Sequence, residues 1–205
     1  MTVDHVEVLV EEPSMAAALR MLMPKLLREG SFEIYQHMGK QDLLSRLPSR
    51  LRGYAAWIPA NWRIVVVIDR DDDDCDELKS RLEQMAADAA LATRTSAKSQ
   101  SWVVVNRLAI EELEAWYFGD WSAVRAAYPK VPATIPAKAS FRKPDEIAGG
   151  TWEAFERVLQ HAGYFAGGLR KIEAARAIAA EMKPSRNTSP SFCSLRDVVS
   201  EMAGA

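Results

Sequence analysis

Short apolar runs alternate with amphipathic stretches, which predicts an α/β chain: a doubly wound parallel sheet with a C-terminal helical appendage. Three observations carry this expectation. Residues 64–68 read Ile-Val-Val-Val-Ile, the continuous β-branched run of a strand covered on both faces. Strand-like and helix-like segments alternate as far as residue 108, the pattern of βαβ units. Beyond residue 111 helical periodicity recurs with no strand between the segments, so the sheet ends there.

Taken in order, residues 6–10 alternate and then run apolar, giving a first strand. Ser14 reads as the N-cap of a helix over 15–28, which Gly30 stops. Residues 32–37 form a second strand, and 41–54 a helix that Pro48, lacking an N–H, should kink or break. The central strand covers 63–68. A helix over 74–91 follows, capped by Asp73 or Asp74, and a buried strand over 102–108 completes the sheet. Residues 111–128 read as helix, and 129–144 as a loop holding prolines 129, 132, 136 and 144. Helices over 151–161, 169–182 and 192–202 complete the chain. Residues 1–128 are thus expected to form the α/β domain, with 129–205 a proline-rich loop and helices packed on it.

A chain of 205 residues, 48% hydrophobic and 26% charged, has enough apolar content for a core without disulfide or metal staples. Cys75 and Cys193 lack any zinc-ligand spacing and read as reduced thiols. The N-terminal residues show neither the basic start nor the apolar core of a secretion signal, and no run approaches a membrane span. The expected setting is the cytoplasm, with no membrane partner. Net charge is −2, but acids crowd into residues 7–12, 69–77 and 111–114, whereas bases gather late, around Lys138, Lys143, Arg170, Lys171 and Arg176. Such a partition suits a metal-dependent enzyme acting on a phosphate substrate, and many neutral proteins show it too.

In open parallel sheets, ligands bind beyond the carboxyl ends of the strands. Each such end here carries carboxylates: Glu11 and Glu12, then Asp69, Asp71, Asp72, Asp73 and Asp74, then Glu111, Glu112 and Glu114. Converging acids repel one another unless a cation intervenes, and hard oxygen donors suit Mg²⁺ or Mn²⁺. Asp69 and Asp71, two apart on an extended segment, would face the same side. An aspartate run between strand and helix also serves as a solvated turn and helix cap. An EF-hand is excluded, with Asp74 where the loop needs glycine and Ser80 where it needs glutamate. An aspartyl phosphatase signature fails at Asp73. Around Glu114 two geometries are open: a helix already begun would turn Glu111 and Glu114 the same way, an extended segment Glu112 and Glu114.

The segments LVEEPS, VVVIDRDDDDC and IEELEAW together resemble the Toprim fold, and more narrowly the branch of the overcoming-lysogenization-defect (OLD) nucleases. The resemblance spans roughly the first 120 residues. It implies that Glu11, Asp69 and Asp71 chelate Mg²⁺, and that a second metal site draws on Glu112 and Glu114 as candidates, Glu114 first. It further implies a lysine that completes the nuclease centre, with Lys171 the match and Lys138 and Lys143 its rivals. Glu12 stands where the family has glycine and adds an oxygen donor; Ser14 stands where some members carry another glutamate. Two ions about 4 Å apart would serve an in-line phosphodiester displacement. The implied protein is a metal-dependent phosphodiester hydrolase, the effector of an ATPase-associated phage-defence system, with nucleic acid as substrate and an ATPase as partner. A non-catalytic metal-binding module and a nucleotide phosphotransferase are the competing expectations.

The remaining chemistry-bearing residues have plainer readings. His5, His37 and His161 form no ligand pair, and the six tryptophans read as packing, with Trp116 anchoring the ELEAW helix. Residues 174–182 present a small apolar face, for packing or a homodimer interface. Residues 185–194 read as a solvated linker or, less simply, a phosphate-gripping loop.

Overall fold

The computed structural model describes residues 3–27, 29–97 and 102–203; Arg28, where the first helix was expected to end, lies outside them. The chain is α/β as its pattern predicts. Four parallel strands, β1 (His5–Val10), β2 (Ser31–Gln36), β3 (Trp62–Asp69) and β4 (Val104–Ala109), lie in the order β2-β1-β3-β4. Alternation along the strands sorts their side chains to two faces. Val6, Val8, Val10, Val65, Val67 and Val105 face α1 (Pro13–Leu27), whereas Leu9, Ile64, Val66, Ile68 and Val104 face α2 (Lys40–Ala55) and α3 (Cys75–Asp88). Helices on both faces make the sheet doubly wound, consistent with a Toprim-like architecture.

The C-terminal segment does more than lean on a sheet edge. Helices α4 (Glu114–Gly119), α5 (Trp121–Ala127), α6 (Thr151–His161), α7 (Lys171–Glu181) and α8 (Pro190–Met202) share one continuous core with α1 and the valine face of the sheet. The small face of α7 is covered within the chain by α1 and α5, so residues 174–182 pack internally. The Lys25 ammonium, at the end of α1, donates to the carbonyls of Ala179, Ala180 and Met182 at 2.6–2.9 Å. That caps α7 where its carbonyls lack helical partners.

Several local expectations are corrected. Pro48 does not break α2, because Leu43, Leu44, Leu47 and Leu51 on either side of it are buried against the sheet. Ser14 is inside α1 rather than its cap, and its hydroxyl donates to the Glu12 carboxylate. Asp74 does cap α3, accepting from the N–H groups of Asp76 and Glu77. The expected helix over 111–128 begins only at Glu114 and divides at Asp120. The Asp120 side chain caps α5 and takes a two-pronged contact from Arg186 at 2.6 and 3.0 Å. Short 3₁₀ turns interrupt the proline-rich loop.

Residues 185–194 form no solvated linker. Asn187, Ser189 and Ser191 are buried. Asn187 Nδ2 donates to the Trp116 carbonyl at 2.8 Å, Trp116 Nε1 to Ser191 Oγ at 3.0 Å, and Ser189 Oγ to Asp145 at 2.5 Å. This polar lattice backs α4 and leaves no room beside Gly119, where an added Cβ would collide with Asn187 Oδ1 and lie 2.8 Å from Ser189 N. Gly119→Ala should therefore destabilise the fold by about 1–3 kcal/mol, the cost of overpacking a tight site, read from the urea midpoint.

Candidate metal centre

The site follows from the winding of the sheet. Chain excursions leave β1 toward β2 and β3 toward β4, in opposite directions, so the crevice between the carboxyl ends of β1 and β3 is the topological switch point. Glu11 and Asp69 occupy it, 92% and 95% removed from solvent, and the Asp69 N–H donates to Glu11 Oε2 at 3.1 Å. Glu114, at the first turn of α4, is buried beside them; Glu12 is half-buried.

Burial and mutual repulsion leave these acids reluctant to ionise. Desolvation, then the charge of Asp71, raises Glu11 to about 7. Desolvation raises Glu114 to about 7 as well, with Lys171 opposing. Asp69 is pushed well above the usual carboxylate range by burial and then by Glu11, Glu12 and Glu114. Among the described residues neither Asp69 Oδ1 nor the Tyr117 hydroxyl, both buried, has a hydrogen-bond partner; burial, and then the charges of Glu114, Glu12 and Asp69, make the Tyr117 proton harder to lose. Lys171 is the counterweight. Burial disfavours its charge, but Glu114, Glu12, Glu112 and Asp69 outweigh that and raise it. Its ammonium stands 5.1 Å above the Trp152 ring.

Not every acid of the three strand ends joins this group. Asp71 does not continue the strand. Its φ of 49° turns the chain, its N–H donates to the Glu111 carbonyl at 2.9 Å, and its carboxylate meets the Lys40 ammonium at 2.7 Å. Asp69 and Asp71 thus do not form the extended pair expected of them, although Asp71 still acts on Asp69 through its charge. Asp72 and Asp73 are exposed in the turn. Glu111, also at positive φ, pairs with Arg70. Glu112 accepts from Thr151 Oγ1 at 3.0 Å and Trp152 N at 2.8 Å, serving the amino end of α6. A turn at Leu113 separates Glu114 from both neighbours: Glu111 is drawn away to Arg70, while Glu112 stays close enough for its charge to raise Glu114. Of the rival lysines, Lys143 is exposed and pairs with Glu146 at 2.8 Å, and Lys138 is exposed between two 3₁₀ turns.

Among the described residues, no three His, Cys, Asp or Glu side chains converge closely enough to hold an ion as they stand. The donor chemistry nonetheless fits a hard cation. Glu11, Asp69 and Glu114 are buried oxygen donors, and the unpartnered Asp69 Oδ1 is an acceptor that protein hydrogen bonds leave free. Two residues escaped the sequence reading. Lys40 sits just beyond the carboxyl end of β2, a position the strand-end rule could have drawn in. Tyr117 lies one helical turn after Glu114, a spacing that puts both on one side of α4.

Titration offers a test. An acid whose folded-state pKa is raised binds more protons folded than unfolded, so stability falls as pH rises through the gap. For Glu114 that gap runs from 4.5 to about 7. In chelator, Glu114→Gln should therefore gain melting temperature relative to wild type as pH goes from 5 to 8. A difference independent of pH would show that Glu114 ionises without penalty.

No curated protein and no solved structure matches the chain. A family model described as "Domain of unknown function (DUF4276)" matches residues 10–200. That span includes Glu11, Asp69, Glu114 and Lys171, and the chain belongs to this family.

Proposed function

We propose that this protein is a divalent-metal-dependent phosphodiester hydrolase, a nuclease resembling the Toprim and OLD enzymes, acting in the cytoplasm as the effector of an ATPase-associated phage-defence system. The observation that carries the metal is the free, buried Asp69 Oδ1, ringed by acids at the sheet's switch point. Glu11 and Asp69 would hold Mg²⁺ or Mn²⁺ with Asp71, and Glu114 would border them from α4. A bound ion supplies Lewis-acid polarisation of a phosphoryl oxygen and an activated water.

The chain's own residues supply the rest. Lys171 brings a positive charge to the edge of the acid group, where it would neutralise charge developing on a phosphoryl oxygen. Its charge is retained because four carboxyl groups favour it, so it acts as a fixed cation rather than a proton donor. Tyr117 keeps its proton, and its unpartnered hydroxyl lies near enough to the same acids to feel their charge. Among the described residues no helix is long and apolar enough to cross a membrane, in keeping with a cytoplasmic substrate.

A second reading, a non-catalytic module that binds metal together with an ATPase or nucleic acid, is favoured by one observation. Glu112 is engaged in capping α6 and Asp71 by Lys40, which leaves fewer carboxylates free for a second ion.

Supercoiled plasmid titrated with Mg²⁺ and Mn²⁺ separates the two. The nuclease nicks it, Asp69→Asn falls to background, and Lys171→Ala loses on the order of 10²–10³ in rate while keeping its metal-dependent rise in melting temperature. A wild-type protein that is stabilised by metal but does not nick any nucleic acid would favour the module instead.

A further inference from the structure

The carboxylate group already has a cation of its own, poised where a metal ligand would be recruited. Lys40 begins α2, one residue after Gly39, whose φ of 101° few other residues adopt. The Gly39 N–H donates to the Glu11 carbonyl at 2.9 Å, so the start of α2 is tied to the end of β1. From there the half-buried Lys40 side chain reaches over the β3 turn. Its ammonium contacts Asp71 Oδ2 and Asp73 Oδ2, each at 2.7 Å, and the Arg70 carbonyl at 2.9 Å. These are three acceptors for three N–H donors, a fully satisfied ammonium.

The consequence lies with Asp71. Its carboxylate is held by Lys40, while the Asp69 Oδ1 nearby has no partner. We infer that Lys40 is a positioning residue, the resident counter-ion of this site, which holds Asp71 in reserve until a divalent cation draws it away. The inference rests on the metal reading proposed above.

The physics runs both ways. An ion entering between Glu11 and Asp69 attracts Asp71 and repels Lys40, so the charge that steadies the ion-free site opposes ion binding. Coupling of this kind is reciprocal: what metal does to the Lys40 contact, Lys40 does to metal affinity. A lysine suits the role better than an arginine. Its charge is compact and ends a flexible four-carbon stem, so it can withdraw without breaking a planar two-bond pairing. Asp73, the second partner, is exposed and lies in the same turn, and it gives the displaced ammonium a place to remain.

The test is calorimetric titration of Mn²⁺ into wild type, Lys40→Met, Lys40→Gln and Lys40→Arg, beside melting temperatures in chelator. Removing a like charge a few ångströms from a divalent ion should tighten binding roughly tenfold in the Met and Gln variants. Their ion-free melting temperatures should fall, because Asp71 and Asp73 lose their neutralising partner. Lys40→Arg keeps the charge and should bind no more tightly than wild type, and more weakly to the extent that a guanidinium withdraws less readily. A lysine that merely braces the turn would lower the melting temperature without tightening metal binding. Equal or weaker Mn²⁺ binding in both neutral variants overturns the role of Lys40 and leaves the metal site standing. Failure of all four proteins to bind Mn²⁺ overturns the metal reading and this role with it.

Discussion

Carboxyl groups gathered in a crevice closed to water cannot all carry charge, and the arrangement around the β1–β3 switch point is the set of answers to that constraint. Glu11 and Glu114 answer by holding protons up to about 7. Asp71 and Glu111 answer by pairing with Lys40 and Arg70, and Glu112 by accepting from the amino end of α6. Asp69, buried as Glu114 is, is left with an oxygen that no hydrogen bond among the described residues satisfies. The positive φ at Asp71 and Glu111 belongs to the same solution, since each turn carries its acid out of the crevice toward a partner.

The C-terminal helices determine how severe that constraint is. Glu114 follows the last strand in sequence, but its burial depends on α4 being fixed in place. The lattice of Asn187, Ser189, Ser191 and Asp145 does that fixing, with Trp116 and Gly119 pressed against it. Residues far from the strand ends thus set the environment in which a strand-end acid ionises. Lys171 arrives with the same helices, so the cation and the enclosure come together.

The fold was legible because its signal is hydrophobic pattern. Five β-branched residues in a row, Ile64 to Ile68, read as a strand covered on both faces, and the alternation of such runs with amphipathic segments gave the element order. Helix 151–161 was read to the residue. At the strand ends the acids were visible but their destinations were not. Whether Glu112 faces the site or caps α6 depends on Thr151 and Trp152, 39 and 40 residues onward. Whether Asp71 stands beside Asp69 depends on Lys40, on another helix. Pro48 misled for a related reason: a local rule about a missing donor was overridden by leucines packed against a distant strand. Buried polar sequence is the hardest to read, since Asn-Thr-Ser-Pro-Ser has the composition of an exposed loop and yet lies behind α4.

The contact of Lys25 with the last carbonyls of α7 bears on geometry at the opposite end of both helices. Helix α1 starts immediately after Glu11 and Glu12, α7 starts at Lys171, and the two lie side by side, tied at their carboxyl ends. They therefore run in the same direction, and the pair works as a gauge block between acids and base. Lengthening the exposed parts of the proline-rich loop leaves that gauge untouched. One residue added within α7, between Lys171 and its capped end, would swing the lysine by about 100° around the helix and lift it by about 1.5 Å. Distance along the chain thus matters little to this centre, and helical phase matters a great deal.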